Sequence, residues 1–105
     1  MATQVNVGKV ADFAPGVMRP FRIGDLDVAV VNLDGAFHAF SNYCTHEAIT
    51  FTSGYGLVSG RFVVCMMHSS VFDIATGDVI SGPASDALET YPVHIEGEDV
   101  VVEAP

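Results

Sequence analysis

Basic residues are scarce in this 105-residue sequence: Lys9, Arg19, Arg22 and Arg61 stand against thirteen Asp and Glu, for a formal net charge of −9. Nucleic-acid backbones are held by clusters of lysine and arginine, so the chain is not expected to bind nucleic acid. The acidity serves solubility or steers the chain toward basic partner proteins. No apolar run approaches the roughly 20 residues that cross a bilayer, and no membrane segment is expected. The sequence also lacks amphipathic helical patterns of more than about a turn, internal repeats, low-complexity stretches and linkers. Its first residues, Met1-Ala2-Thr3-Gln4, show no basic region followed by an apolar segment, and a cytoplasmic location is the expectation. Cysteine is limited to Cys44 and Cys65. A reducing cytoplasm disfavours a disulfide between them, and such a bond would leave two neighbouring histidines unexplained.

What is present is a chain of one-domain length, half of it apolar. A domain this small buries only about 60–65% of its unfolded surface, so a metal centre tying two loops together would add support. The apolar runs are short and rich in β-branched and aromatic residues. Strands are predicted over 4–8, 18–23, 26–33 and 36–41, with Pro15-Gly16 and Asp34-Gly35 as turns. Pro20 marks the second of these as an edge strand. Further hairpins are predicted around Ser59-Gly60 and around 75–78. Tyr91, Val93 and Ile95 then alternate with Pro92, His94 and Glu96, and a turn at 96–99 leads into 100–102. Short strands with turn signals every eight to twelve residues indicate an all-β sandwich or barrel.

The chemistry concentrates in one stretch. It opens Cys44-Thr45-His46, runs on for eighteen residues, and continues Cys65-Met66-Met67-His68. Thiolate and imidazole are the side chains best suited to soft and borderline metals. A zinc finger usually draws its two cysteines from one turn and its two histidines from another. Here each turn supplies one of each, which suits a two-iron centre with both cysteines on one iron and both histidines on the other. A structural zinc is the next reading. A Cys–His nucleophile fits poorly, because the doubled motif would be redundant and no orienting Asn or Asp is identifiable. His38 and His94, outside the motif, read as ordinary surface or half-buried side chains. Asp25, Asp27, Asp34 and the carboxylates of 96–103 read as solvated turn residues.

This pattern resembles the Rieske family of [2Fe–2S] proteins, in which histidines replace two thiolates on one iron. The likeness continues through Ser69-Ser70-Val71-Phe72-Asp73, Thr76-Gly77, Gly82-Pro83-Ala84, Leu88 and Tyr91-Pro92-Val93, the order of elements in small Rieske ferredoxins. It implies a single domain, 1–105: a Rieske-like antiparallel β sandwich or barrel with an inserted cluster-binding subdomain at about 43–83. It implies a [2Fe–2S] cluster held by Cys44, His46, Cys65 and His68, with Pro83 in a loop that covers it. It further implies a monomeric one-electron carrier, not an enzyme by itself, that passes electrons from a flavin-dependent ferredoxin reductase to a terminal oxygenase. Met66 and Met67 would shield the cluster or offer a docking surface. Respiratory relatives carry two extra cysteines, absent here, which points to the ferredoxin branch. Met66 stands where the family often has Pro, and Ser69 where it often has Gly. High-potential relatives place a serine and a tyrosine hydroxyl near the cluster; alignment on His68 sets Ser70 and Phe72 at those positions. The alternatives are a small Rieske-like subunit of a larger oxidoreductase such as nitrite reductase, and a zinc-stabilised interaction module.

Overall fold

The structure, a computed structural model, describes residues 3–44, 50–67, 69–82, 84 and 86–105. In chain order the strands are β1 (Thr3–Lys9), β2 (Arg19–Ile23), β3 (Leu26–Leu33), β4 (Ala36–Ser41), β5 (Gly56–Ser59), β6 (Phe62–Cys65), β7 (Ser70–Asp73), β8 (Val79–Ser81), β9 (Thr90–Tyr91), β10 (Val93–Glu96) and β11 (Asp99–Ala104). They form three antiparallel sheets, ordered β1-β11-β10, β2-β3-β4-β9 and β5-β6-β7-β8. The fold is all-β, as the sequence leads one to expect.

The second sheet is the middle layer, and β3 shows why its sequence is a valine run rather than an alternation. Val28, Ala29, Val30 and Val31 are all fully buried. Val28 and Val30 pack with Tyr91, Val100 and Val102 on the side of the first sheet. Ala29 and Val31 pack with Phe40, Val63, Cys65 and Phe72 on the side of the third. A strand buried on both faces must be apolar at every position, and each valine so placed contributes about 1.5–3 kcal/mol. The two cores share this one strand, so the sheet that ends in Cys65 rests on the best-buried part of the molecule.

Turn chemistry sets the registers. Asp34 and Gly35 both have positive φ, 52° and 92°, as a type I′ hairpin requires. The Asn32 side chain supports the turn by accepting from the Gly35 N–H at 2.7 Å. Pro20 does lie on an edge strand, where its missing N–H leaves no ladder bond unmade. The β5–β6 turn falls on Gly60-Arg61 rather than Ser59-Gly60, because β5 runs through Ser59 and Gly60 takes the positive φ, 58°. The predicted alternation through Tyr91, Val93 and Ile95 is broken. Pro92 separates β9 from β10, so Tyr91 is buried while Ile95 is 43% exposed.

Asp73 anchors two hairpins. Its Oδ2 accepts from Arg61 Nε and Nη2 at 2.9 and 2.6 Å, and its Oδ1 accepts from the Ala75 and Thr76 N–H groups at 2.9 and 3.3 Å. Burial pushes this carboxyl up, but the Arg61 hydrogen bonds, the two backbone donors and the guanidinium charge outweigh it, and the net direction is below the ordinary value of 3.8. A depressed carboxylate contributes stability that is present above its unfolded pKa and is lost as pH falls through the lower folded value. Asp73→Asn should therefore cost about 2 kcal/mol near neutrality. The gap to the parent protein should close as pH drops below about 4, where the unfolded carboxyl takes up its proton. Urea unfolding across that range checks both statements; a gap that does not change with pH contradicts the second.

Candidate metal centre

The two cysteines reach one place from two loops. Cys44 follows β4 by three residues and is 3% exposed. Tyr43 pairs with Thr50 across the loop it opens, and the chain returns through a 3-10 turn, Phe51–Ser53, closed by Gly54 at φ 98°. Cys65 is the last residue of β6 and fully buried. The Met66 N–H donates to the Tyr55 carbonyl at 2.7 Å, tying the second loop to the end of the first. The Ser69 N–H donates back to the Cys65 carbonyl at 2.7 Å and closes a tight turn. Ser69 itself has φ 62°. That left-handed conformation favours glycine, which accounts physically for the glycine that relatives often carry there.

Both thiols lie in one core cluster with Phe40, Phe51 and Phe72, and no disulfide joins them. Phe51 is 1% exposed, and its ring meets Phe40 and Phe72 edge-on at 6.0 and 6.2 Å. Gly56 makes room for it: a Cβ there would stand 2.6 Å from the Phe51 Cβ. Gly56 and Ser70 both register with Cys65, and Ser70 is fully buried. A third segment closes over this turn. The Ala84 N–H donates to Ser70 Oγ at 3.2 Å, and Gly82 lies flat against the Ser69–Ser70 backbone.

Two buried, unbridged thiols brought from separate loops are the soft donors that iron–sulfur clusters take, and their setting is largely closed to water. The residues present fit an iron–sulfur cluster. His46, His68 and Pro83 lie outside the described residues, so the other half of the expected ligand set and the covering proline carry no structural description.

The surface beside the thiols is apolar and almost uncharged. Tyr43, Tyr55, Leu57, Met66 and Met67 are 40, 41, 52, 58 and 54% exposed. Glu47 is the only charged residue in 42–60, and 62–72 contains none. Exposed large apolar side chains grouped in this way mark interaction surfaces.

Some sequence expectations need correction. Asp27 is not a solvated turn residue: it lies half-buried in β3, and its Oδ1 accepts from Asn42 Nδ2 at 3.1 Å. Asp99 pairs with Lys9 at 3.1 Å and Glu96 with His94 at 2.8 Å, surface contacts that contribute little. His38 is half-buried in β4, as expected. Sequence reasoning missed the roles of Asn42, Phe51 and Gly56, and it singled out Gly82 without its contact with the Ser69–Ser70 backbone. An asparagine at a strand end signals a local side-chain bond, but partners distant in sequence leave no such signal.

Comparison with known proteins places this geometry. The family described as Rieske [2Fe-2S] domain matches residues 3–92. The 3-phenylpropionate/cinnamic acid dioxygenase ferredoxin subunit of Shigella flexneri is 37% identical over 78 residues, 74% of this chain and 73% of that one. The Sphingomonas yanoikuyae B1 ferredoxin superposes with a TM-score of 0.88 at 31% identity, covering 98% of this chain and 100% of that one. A chain from the complex of reduced oxygenase and oxidized ferredoxin in carbazole 1,9a-dioxygenase superposes with a TM-score of 0.86 at 27% identity, covering 93% of this chain and 99% of that one. The paired buried thiols and the three-sheet frame therefore have a common explanation: the chain belongs to the Rieske [2Fe–2S] domain family, as a ferredoxin-type electron carrier whose cofactor is a [2Fe–2S] cluster.

Proposed function

We propose that Cys44 and Cys65 hold one iron, that His46 and His68 hold the other, and that residues 43–83 act as a cluster-binding subdomain. The observation that carries this reading is the burial of two unbridged thiols in one core cluster, each followed in sequence by a histidine. When bound, the cluster takes up one electron and gives it up again. The chain's own residues do the rest. Phe40, Phe51 and Phe72 exclude water from the thiolate side. Met66, Met67, Tyr43 and Tyr55 present an apolar face on which a partner can seat. The acidic remainder of the chain supplies long-range attraction, screened beyond about 8 Å at physiological salt.

In this reading a flavin-dependent ferredoxin reductase loads the electron, and a terminal oxygenase receives it. The protein works as a cytoplasmic monomer and catalyses nothing alone. The test is direct. Aerobically purified protein should be brown, with iron and acid-labile sulfide in equal amounts, and Cys44→Ala should be colourless. Colourless parent protein holding one zinc would end the reading. A parent protein that purifies only as a fixed subunit of a larger oxidoreductase, and that no flavin reductase reduces, would keep the cluster and remove the carrier role.

The potential follows from the same placement. Phe72 is fully buried and shares its face of β7 with Ser70, opposite Val63 and Cys65 of β6. It carries no hydroxyl, so the potential should fall in the lower part of the Rieske span, roughly −150 to 0 mV. Phe72→Tyr should raise it by about 40 mV, the equivalent of one hydrogen bond of about 1 kcal/mol. Protein-film voltammetry on folded, loaded variant reads the shift, and an unchanged potential would mean that the added hydroxyl does not reach the cluster.

A further inference from the structure

We infer that Asn42 is a positioning residue for the cluster: its side chain pins both limbs of the first ligand loop to strand β3 and so fixes where Cys44 stands. This rests on the ligand reading proposed above.

Asn42 is 1% exposed, and its hydrogen-bonding groups are all engaged. Nδ2 donates to Asp27 Oδ1 at 3.1 Å and to Thr52 Oγ1 at 2.7 Å. Oδ1 accepts from the Thr52 N–H at 3.1 Å. The backbone N–H donates to the Asp27 carbonyl at 2.9 Å, and the backbone carbonyl accepts from the Phe51 N–H at 2.8 Å. Thus one residue joins three segments: β3, the outgoing limb two residues before Cys44, and the returning limb ten residues later. Only a primary amide of this reach supplies two donors and one acceptor at those points. Aspartate would lose both donors and set a second carboxylate against Asp27. Alanine would leave the Asp27 carboxylate and the Thr52 N–H without this partner.

The consequence is for ligand geometry as well as for stability. The Tyr43–Thr50 pairing also crosses the loop, but it joins the two limbs only to each other. The Asn42 bonds to Asp27 join both limbs to the layer on which Cys65 also packs, since Ala29 and Val31 of β3 belong to the core cluster that holds both cysteines. With that anchor cut, the Cys44 limb can shift relative to Cys65.

The test compares Asn42→Asp and Thr52→Val with the parent holoprotein. In the presence of an iron chelator, Asn42→Asp should bleach about tenfold faster. Its still-loaded fraction should show a displaced midpoint potential and altered g-values in the reduced-state electron paramagnetic resonance spectrum. Thr52→Val removes one acceptor and keeps the shape, so it should move all three readouts the same way by less. The double variant should cost less than the sum of the two singles, because the two side chains share one interaction. Variants that unfold more easily yet keep the parent's potential, g-values and bleaching rate would reduce Asn42 to a fold-stabilising residue and overturn the inference. Colourless parent protein would instead overturn the ligand reading, so the two failures are distinguishable.

Discussion

Gly82→Ala should destabilise the protein by more than about 3 kcal/mol and empty its metal centre, although Gly82 is neither a ligand nor part of the core. Two independent costs meet at this residue. Its φ is 100°, a conformation that side-chain-bearing residues hold at a cost of about 1–3 kcal/mol. A Cβ built there would lie 2.4 Å from the Ser70 Cα, 2.8 Å from the Ser69 carbonyl oxygen and 2.9 Å from the Ser70 nitrogen. All three are backbone atoms, so no side chain can rotate away, and forced overpacking adds about 1–3 kcal/mol. Gly82 must therefore lift from the Ser69–Ser70 backbone, straining the neighbouring Ala84 N–H···Ser70 Oγ bond and the turn that begins at Cys65. Gly60→Ala is the matched control. Gly60 also has a positive φ, 58°, but an added Cβ there meets nothing within 4 Å, so only the backbone cost of about 1 kcal/mol applies. Urea unfolding and visible absorbance of the two variants decide the matter. If Gly82→Ala stays within about 1 kcal/mol of the control and keeps its colour, the close approach of Gly82 does not hold the turn after Cys65.

Local chemistry explains what could be read in the sequence and what could not. The Asp34-Gly35 hairpin was legible because the turn type demands φ > 0 at both residues and the pair advertises it. The valine run of β3 announced a strand, but not that it would be shared by two cores, since burial on both faces depends on which sheets stack on it. The β5–β6 turn slipped by one residue because a single glycine can occupy either turn position. The site divides along the same line. Cys44-Thr45-His46 and Cys65-Met66-Met67-His68 stand out in the sequence because ligand spacing is a local property, and the structure adds that the two cysteines are buried in one core cluster. Asn42, Gly56 and Gly82 matter through contacts with Asp27, Phe51 and Ser70, which are 15, 5 and 12 positions away. Nothing in the residues themselves states those distances. Asp27 was misread for the same reason: beside Gly24-Asp25 it looks like one more turn carboxylate, and only its bond to Asn42 shows otherwise.

His68→Cys should lower the midpoint potential by on the order of 100 mV. The argument is one of charge. With the proposed ligands, two ferric ions, two sulfides, two thiolates and two neutral imidazoles would sum to zero, so an added electron would meet no net negative charge. A third thiolate makes the oxidised centre singly negative, and adding an electron becomes harder. The size follows from the two natural extremes: centres with two histidines lie at about −150 to +300 mV and four-thiolate plant-type centres near −400 mV. Exchanging both imidazoles thus spans at least roughly 250 mV, and one exchange takes about half of that. His94→Gln is the control, since His94 pairs with Glu96 on the exposed surface of β10, and it should leave the potential unchanged. Iron and sulfide counts establish that the variant is loaded, and protein-film voltammetry then reads the shift. A loaded His68→Cys protein with the parent's potential would show that His68 does not bind iron. A downward shift of about 100 mV or more, opposite in sign to that of Phe72→Tyr and two to three times its size, would show that ligand charge rather than hydrogen bonding to sulfur is the dominant control on the potential of this carrier.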